Sequence, residues 1–133
     1  MQFLSPENYP QPHPRLTPRQ VVSLQLDALQ NNDLMKGDMG IRLAFMFASP
    51  QNRATTGPVE RFIALVKNPL YAGLIGFERA EFGPLRMNAD NAQQLVRLHY
   101  HRGDDASYVF SLSRQIDGVY TGCWMVDGVL PAT

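Results

Sequence analysis

The apolar periodicity of this 133-residue chain changes once, and that change constrains the order of its layers. Up to about Asn68 the apolar residues recur at helical spacing, whereas after a connector from Tyr71 to Gly76 they alternate. A chain that is helical first and β afterwards buries its helix stripes against one face of an antiparallel sheet. That is an α+β pattern rather than an alternating α/β one.

The helical half carries its own punctuation. Thr17, Pro18 and Gln20 stand as N-cap, first helical residue and capping-box partner, which predicts a helix running to about Asn31. Its broad apolar surface holds Val21, Val22, Leu26 and Leu29, while Gln20, Ser23, Asp27 and Gln30 recur on the remaining stripe. A second, short helix is expected through Ile41, Leu43, Ala44 and Phe45, stopped by Ser49-Pro50, so the pair reads as a hairpin. Gln51 to Thr56 reads as a polar loop. A third helix then starts with Gly57 as cap and Pro58 at its first position, and Val59, Phe62, Ile63 and Val66 form its core stripe.

Four strands are expected in the second half: Phe77 to Met87, Gln93 to Arg102, Ser107 to Ile116 and Gly122 to Val129. Gly83-Pro84 predicts a bulge or an edge position in the first, because proline cannot donate to a ladder. A three-residue loop at Gly103, Asp104 and Asp105 sets Tyr100 against Tyr108, Leu98 against Phe110 and Val96 against Leu112. All the large apolar side chains then share one face, and Arg97, His99, His101, Ser107, Ser111 and Ser113 share the other. The fourth strand adds Trp124 and Val126 to one face and Cys123, Met125 and Asp127 to the other.

Length and charge narrow the functional classes. The chain has the size of one domain, expected over residues 17–130 behind a flexible, proline-rich arm (1–16) and before a short tail (131–133). Twelve basic residues balance twelve acidic ones and are scattered singly, so no nucleic acid or anionic membrane surface is expected as a partner. No segment has the roughly twenty apolar residues that span a bilayer. The start of the chain lacks the apolar core of a signal peptide, and Cys123 is the lone cysteine. A soluble, cytoplasmic protein is the expectation.

Several segments together carry a family likeness. Phe47-Ala48-Ser49-Pro50, Thr56-Gly57-Pro58 with Arg61-Phe62 and Val66-Lys67, Leu112-Ser113-Arg114-Gln115, and the stretch from Gly122-Cys123-Trp124-Met125 to Val129 resemble the family called domain of unknown function 4864. The likeness covers roughly Thr17 to Val129. That family resembles the nuclear-transport-factor-2-like superfamily, which implies three N-terminal helices packed on a curved antiparallel sheet around a conical cavity. The short strand that this likeness implies between the second and third helices is not evident in Gln51 to Thr56, so a smaller sheet is expected. The superfamily holds isomerases, dehydratases, binding modules and assembly domains, and its fold implies no single activity.

The candidate pocket gathers Tyr100, Tyr108 and Trp124 from the sheet and Phe45 and Phe62 from the helices. Large aromatics close a core more often than they open one. A pocket among these residues would take a flat, apolar small molecule. Arg114 either pairs with a carboxylate to hold the sheet or orients an anionic ligand. His99 and His101 form an H-x-H pair with Asp104 and Asp105 beyond, but two histidines on a polar face are more often solvated or interfacial than metal ligands. Cys123 becomes a nucleophile only beside a base and in an electropositive setting. Asp27 lies on a polar helical stripe, and Asp127-Gly128 reads equally as a strand-ending turn.

No consistent acid, base, nucleophile or metal set emerges from these residues, so no cofactor or metal is expected. The expected function is a non-enzymatic small-molecule-binding or protein-interaction module, with a homodimer formed through the exposed sheet surface. The rival expectation is a small isomerase, dehydratase or hydrolase that uses general acid–base chemistry within the cone.

Overall fold

The structure, a computed structural model, describes residues 7–132. The first helix, α1 (Pro18–Gln30), begins at the capping box expected of it: the Gln20 amide donates to Thr17 Oγ1 at 3.2 Å and the Thr17 amide to Gln20 Oε1 at 2.9 Å. Two 3₁₀ turns, Asn32–Leu34 and Lys36–Asp38, reverse the chain with Gly37 and Asp38 in the left-handed region (φ 66° and 56°). The second helix, α2 (Met39–Phe45), then packs back on α1. Gly40 sits at the crossing. A Cβ there would stand 2.9 Å from Asn32 Cα and closer still to the Ala28 carbonyl oxygen.

Residues 51–56 are helical, which corrects the expectation of a polar loop. Ser49 is an N-cap, its Oγ accepting the Asn52 amide at 3.1 Å, and Pro50 opens the helix α3 (Pro50–Thr56). Ser49-Pro50 thus starts a helix rather than merely stopping α2. No residue of α3 is buried, so it shows no apolar stripe to read. The fourth helix, α4 (Val59–Lys67), starts one residue later than expected, with Pro58 in the cap position, and ends before the 3₁₀ turn Ala72–Leu74. Among the described residues the helical layer therefore has four α-helices rather than three.

The sheet is a meander of four antiparallel strands: β1 (Arg79–Asn88), β2 (Asn91–His99), β3 (Asp105–Arg114) and β4 (Trp124–Ala132). The β1–β2 register shifts between Phe82 and Leu85, at the Gly83-Pro84 bulge on an edge strand. Gln94 Nε2 fills this bulge, donating to Gly83 O at 2.9 Å and to Leu95 O at 2.8 Å. A second bulge bends β4, where Asp127 is the extra residue between the Leu112–Val126 and Ser111–Gly128 pairs.

The β2–β3 register differs from the expected one by four residues. Val96 opposes Tyr108 and Leu98 opposes Ala106, while a longer turn from Tyr100 to Asp104 joins the strands. An even slip leaves each side chain on its face, so Val96, Leu98, Tyr108, Phe110 and Leu112 still share the buried side. His101 leaves the strand and lies exposed in the turn.

One core joins the layers, with Val22, Leu26, Ile41 and Leu43 from the helices packed with Val96, Phe110, Leu112 and Val126 from the sheet. The edge of β4 is covered by the chain between α2 and α3: the Val126 amide donates to Phe47 O at 2.8 Å and the Ser49 amide to Val126 O at 2.9 Å. This makes a single parallel bridge at Ala48. Part of the segment expected to be a flexible arm is fastened to the body. Tyr9 is buried in the core and donates its hydroxyl to Leu24 O, and Leu16 packs on the same cluster. Burying a large aromatic ring offsets the entropy of ordering a short segment. Residues 1–6 of that arm, and Thr133 of the expected tail, lie outside the described residues.

Candidate functional site

The helices do not close on the sheet everywhere. Between the two layers lies a cavity of about 390 Å³, within the roughly 300–1,000 Å³ range of small-molecule sites. Leu29 of α1, Ala44 of α2, and Phe62, Leu65 and Val66 of α4 form its helical wall, and Phe110, Val126 and Val129 form its sheet wall. The β4 bulge contributes to the opening, since Gly128 lines the cavity and a Cβ on it would meet nothing within 4 Å.

Polar groups occupy three parts of this lining, one of them the Tyr71 side chain just before the 3₁₀ turn Ala72–Leu74. Four residues of α3 (Gln51, Asn52, Thr55 and Thr56) line it together with Asp127. Most of their polar atoms are engaged within the protein. Asn52 Nδ2 donates to Val126 O at 3.0 Å, Thr56 Oγ1 donates to Asn52 O at 2.8 Å, and Asp127 Oδ1 accepts from Ser113 Oγ at 3.0 Å. The third polar part is Gln25, 4% exposed on the apolar side of α1. Its Nε2 donates to Ala44 O at 2.9 Å, and its Oε1 accepts no hydrogen bond among the described residues. The orientation of the amide is set by the carbonyl it faces. Among the described residues no lysine, arginine or histidine lines this cavity.

A second, more open concavity of about 590 Å³ lies between the 3₁₀ turn Ala72–Leu74 and the β2–β3 turn. Tyr100 and Tyr108 converge there on Gly73. Tyr100 donates to Gly73 O at 2.7 Å, and a Cβ on Gly73 would stand 2.6 Å from both hydroxyls. Burial pushes both phenols up, Tyr100 to about 12. Arg102 lies 5.1 Å over the Tyr100 ring and its Nε donates to Asp104 at 2.7 Å, so it is held at this rim by its own neighbours.

The structure separates the residues that sequence placed in one pocket. Phe62 lines the inner cavity, and Phe45 supports it from behind with ring centroids 4.9 Å apart. Tyr100 and Tyr108 line the other concavity. Trp124 is 8% exposed at the start of β4 and lines neither. Arg114 lines neither as well: its Nε donates to Asp90 Oδ1 at 2.8 Å, Nη2 donates to the same oxygen, and its backbone amide reaches Asp90 O at 2.8 Å. It ties the β1–β2 turn to the end of β3, the structural one of its two expected roles. The residue that sequence reasoning passed over is Gln25, a lone amide between Leu24 and Leu26 on the apolar side of a helix.

The remaining candidates are dispersed. His99 faces Glu81 at 3.0 Å and holds that carboxyl below its usual range, whereas His101 lies 3.9 Å from Glu78. No three metal-ligating groups converge among the described residues. Cys123 is buried, and desolvation pushes its thiol up, away from the thiolate a nucleophile needs. His99 cannot serve as its base, because β3 lies between β2 and β4. Asp27 is exposed on α1 and lines neither concavity.

Fold and site together define an α+β domain with an uncharged-to-acidic, mostly apolar cavity between its helices and its sheet. The family described as "Domain of unknown function (DUF4864)" matches residues 13–132, and the chain belongs to it. No curated protein and no solved structure matches the chain. No helix of the described residues is long and apolar enough to cross a membrane.

Proposed function

We propose that this domain is a non-enzymatic binding module, built as a nuclear-transport-factor-2-like cone, that holds a small apolar molecule between α1, α4 and β3–β4. The observation that carries this reading is the inner cavity itself, of ligand size and lined mainly by aliphatic and phenylalanine side chains. Helices covering one face of a small meander, bent by bulges in β1 and β4, support the cone architecture.

Catalysis is the weaker reading because a carboxylate acting as base needs a reacting proton within reach and a tuned environment. Asp127 is the single carboxylate of the lining among the described residues, and its Oδ1 already accepts from Ser113. Among the described residues no histidine or lysine lines the cavity with it, and the other ionisable side chain of the lining is the Tyr71 phenol.

The test is to purify the protein from its native source and inspect the space between Leu29, Phe62 and Phe110 in a crystal structure. Density for a bound molecule supports the module. A site packed shut, in a protein that also takes up no neutral apolar probe in solution, refutes it. Ala44→Leu supplies the matching control. Ala44 lines the cavity and is also packed in the core, so the longer side chain should abolish uptake at the roughly 1–3 kcal/mol that overpacking costs, with the fold retained by circular dichroism.

A further inference from the structure

The inner cavity has a chemical preference written into its lining. Gln25 is more than nine-tenths buried, its amide nitrogen is committed to Ala44 O at 2.9 Å, and its carbonyl oxygen has no donor among the described residues. The oxygen is not sealed off as the partnerless Gln94 Oε1 is at the β1 bulge, so it is open to a donor. Since the side chain also lines the cavity, a molecule seated there can supply that donor.

Charge restricts the choice further. Among the described residues the lining holds one carboxylate, Asp127, and no lysine, arginine or histidine. An anion entering this space would lose its hydration with no cation to replace it and would face Asp127 and the Gln25 oxygen. Fatty acids, acyl anions and phosphate esters are therefore poor occupants. Apolar walls in turn favour a molecule whose bulk is hydrocarbon or aromatic.

We infer that the site selects a neutral, mostly apolar small molecule bearing a hydroxyl or N–H donor that bonds to Gln25 Oε1, and that it discriminates against carboxylates of the same shape. This inference rests on the binding function proposed above and adds the class of ligand.

A matched series of probes tests it: para-butylphenol, para-butylanisole and para-butylbenzoate, titrated into the full chain and followed by calorimetry and by protein NMR. The phenol carries a donor, the anisole carries the same ring without one, and the benzoate carries a charge. On hydrophobicity alone the anisole would bind best. A hydrogen bond to a buried oxygen reverses that order, and the phenol should bind about tenfold tighter than the anisole, with the benzoate weaker than the phenol by more than about tenfold.

Gln25→Met keeps the length and removes the acceptor. It should bring phenol and anisole to within about twofold of each other while both still bind. If that variant does not fold, the ranking on the wild-type protein decides alone. Equal binding of phenol and anisole to the wild type, or binding of the benzoate as tight as the phenol, overturns the assigned preference and leaves the cavity a binding site. Failure of all three probes to perturb Leu29, Val66 and Phe110 overturns the binding function itself and this inference with it.

Discussion

Replacing Gly40 with alanine should be among the most damaging single-methyl changes in this protein. A Cβ at that position falls 2.9 Å from both Cα and Cβ of Asn32 and closer still to the Ala28 carbonyl oxygen. The obstacle is mainly backbone, which no rotamer change can move aside. α1 and α2 must separate, at a cost near the upper end of the usual overpacking range, about 3 kcal/mol. Two buried hydrogen bonds span the same crossing, Ile41 N–H to Asn32 Oδ1 and Gln25 Nε2 to Ala44 O, both at 2.9 Å. Stretching them adds about 1–2 kcal/mol. The better helix propensity of alanine returns about 1 kcal/mol. The net loss of roughly 3–4 kcal/mol corresponds to a fall in Tm of about 10–15 °C for a domain of this size. Urea and thermal melts followed by circular dichroism measure it, with Gly128→Ala as the control, since that Cβ meets nothing and should cost at most about 0.5 kcal/mol. A Gly40→Ala variant within 1 kcal/mol of the wild type would refute the close helix crossing and the geometry of Gln25 that depends on it.

Three further outcomes are expected. Burial, the largest cause in each case, pushes Tyr9, Tyr100 and Tyr108 above the ordinary 10.0. The fold thus holds their protons more tightly than the unfolded chain, so stability is complete below pH 10.0 and is lost as the pH rises through the folded values. Melting temperatures measured from about pH 8 to 12 should fall only above 10, less steeply in Tyr9→Phe, and a flat profile would contradict the buried phenols. Arg53 donates to Met46 O at 2.8 Å and to Ala48 O at 3.1 Å, with its guanidinium 5.2 Å and 5.4 Å from the Phe45 and Tyr120 rings. Arg53→Met should cost about 2–3 kcal/mol in urea titrations, since it strands two carbonyls, and a loss below about 0.5 kcal/mol would show the contacts to be idle. Cys123 should resist thiol reagents in the folded protein and react fully in denaturant, and rapid native labelling would show that its burial is wrong.

The architecture was readable where one pattern repeated along many residues. Alternation on β2 and β3 placed Val96, Leu98, Tyr108, Phe110 and Leu112 together even though the register moved by four, because the expected three-residue loop and the observed five-residue turn are both odd and give the same parity. The helix α3 went unread because it is polar throughout. A signal was nevertheless present: Ser49-Pro50 repeats the Thr17-Pro18 pattern that marks the start of α1, and both serve as N-cap and first residue. Tyr9 left no periodic trace, being a single aromatic among prolines, and only the tertiary structure reveals its place in the core.

The candidate site was harder to read because a cavity is defined by where packing stops. Aromatic residues stand out by size, yet Trp124 does what large side chains usually do and fills space, and Tyr108 lines the outer concavity rather than the inner one. The informative residue is small in signal and awkward in position. Gln25 interrupts the apolar side of α1 and donates to Ala44 O near the end of α2, a carbonyl that also accepts the Phe47 amide at 3.0 Å. Arg53 serves the following carbonyls, Met46 O and Ala48 O. Arginine and lysine only donate, so either could serve Ala44 O while leaving excess positive charge in an apolar space. Glutamine meets the same carbonyl without charge and brings an acceptor with it. The amide that ties α1 to α2 thus also offers the cavity an acceptor, and the fold and the proposed selectivity depend on the same side chain.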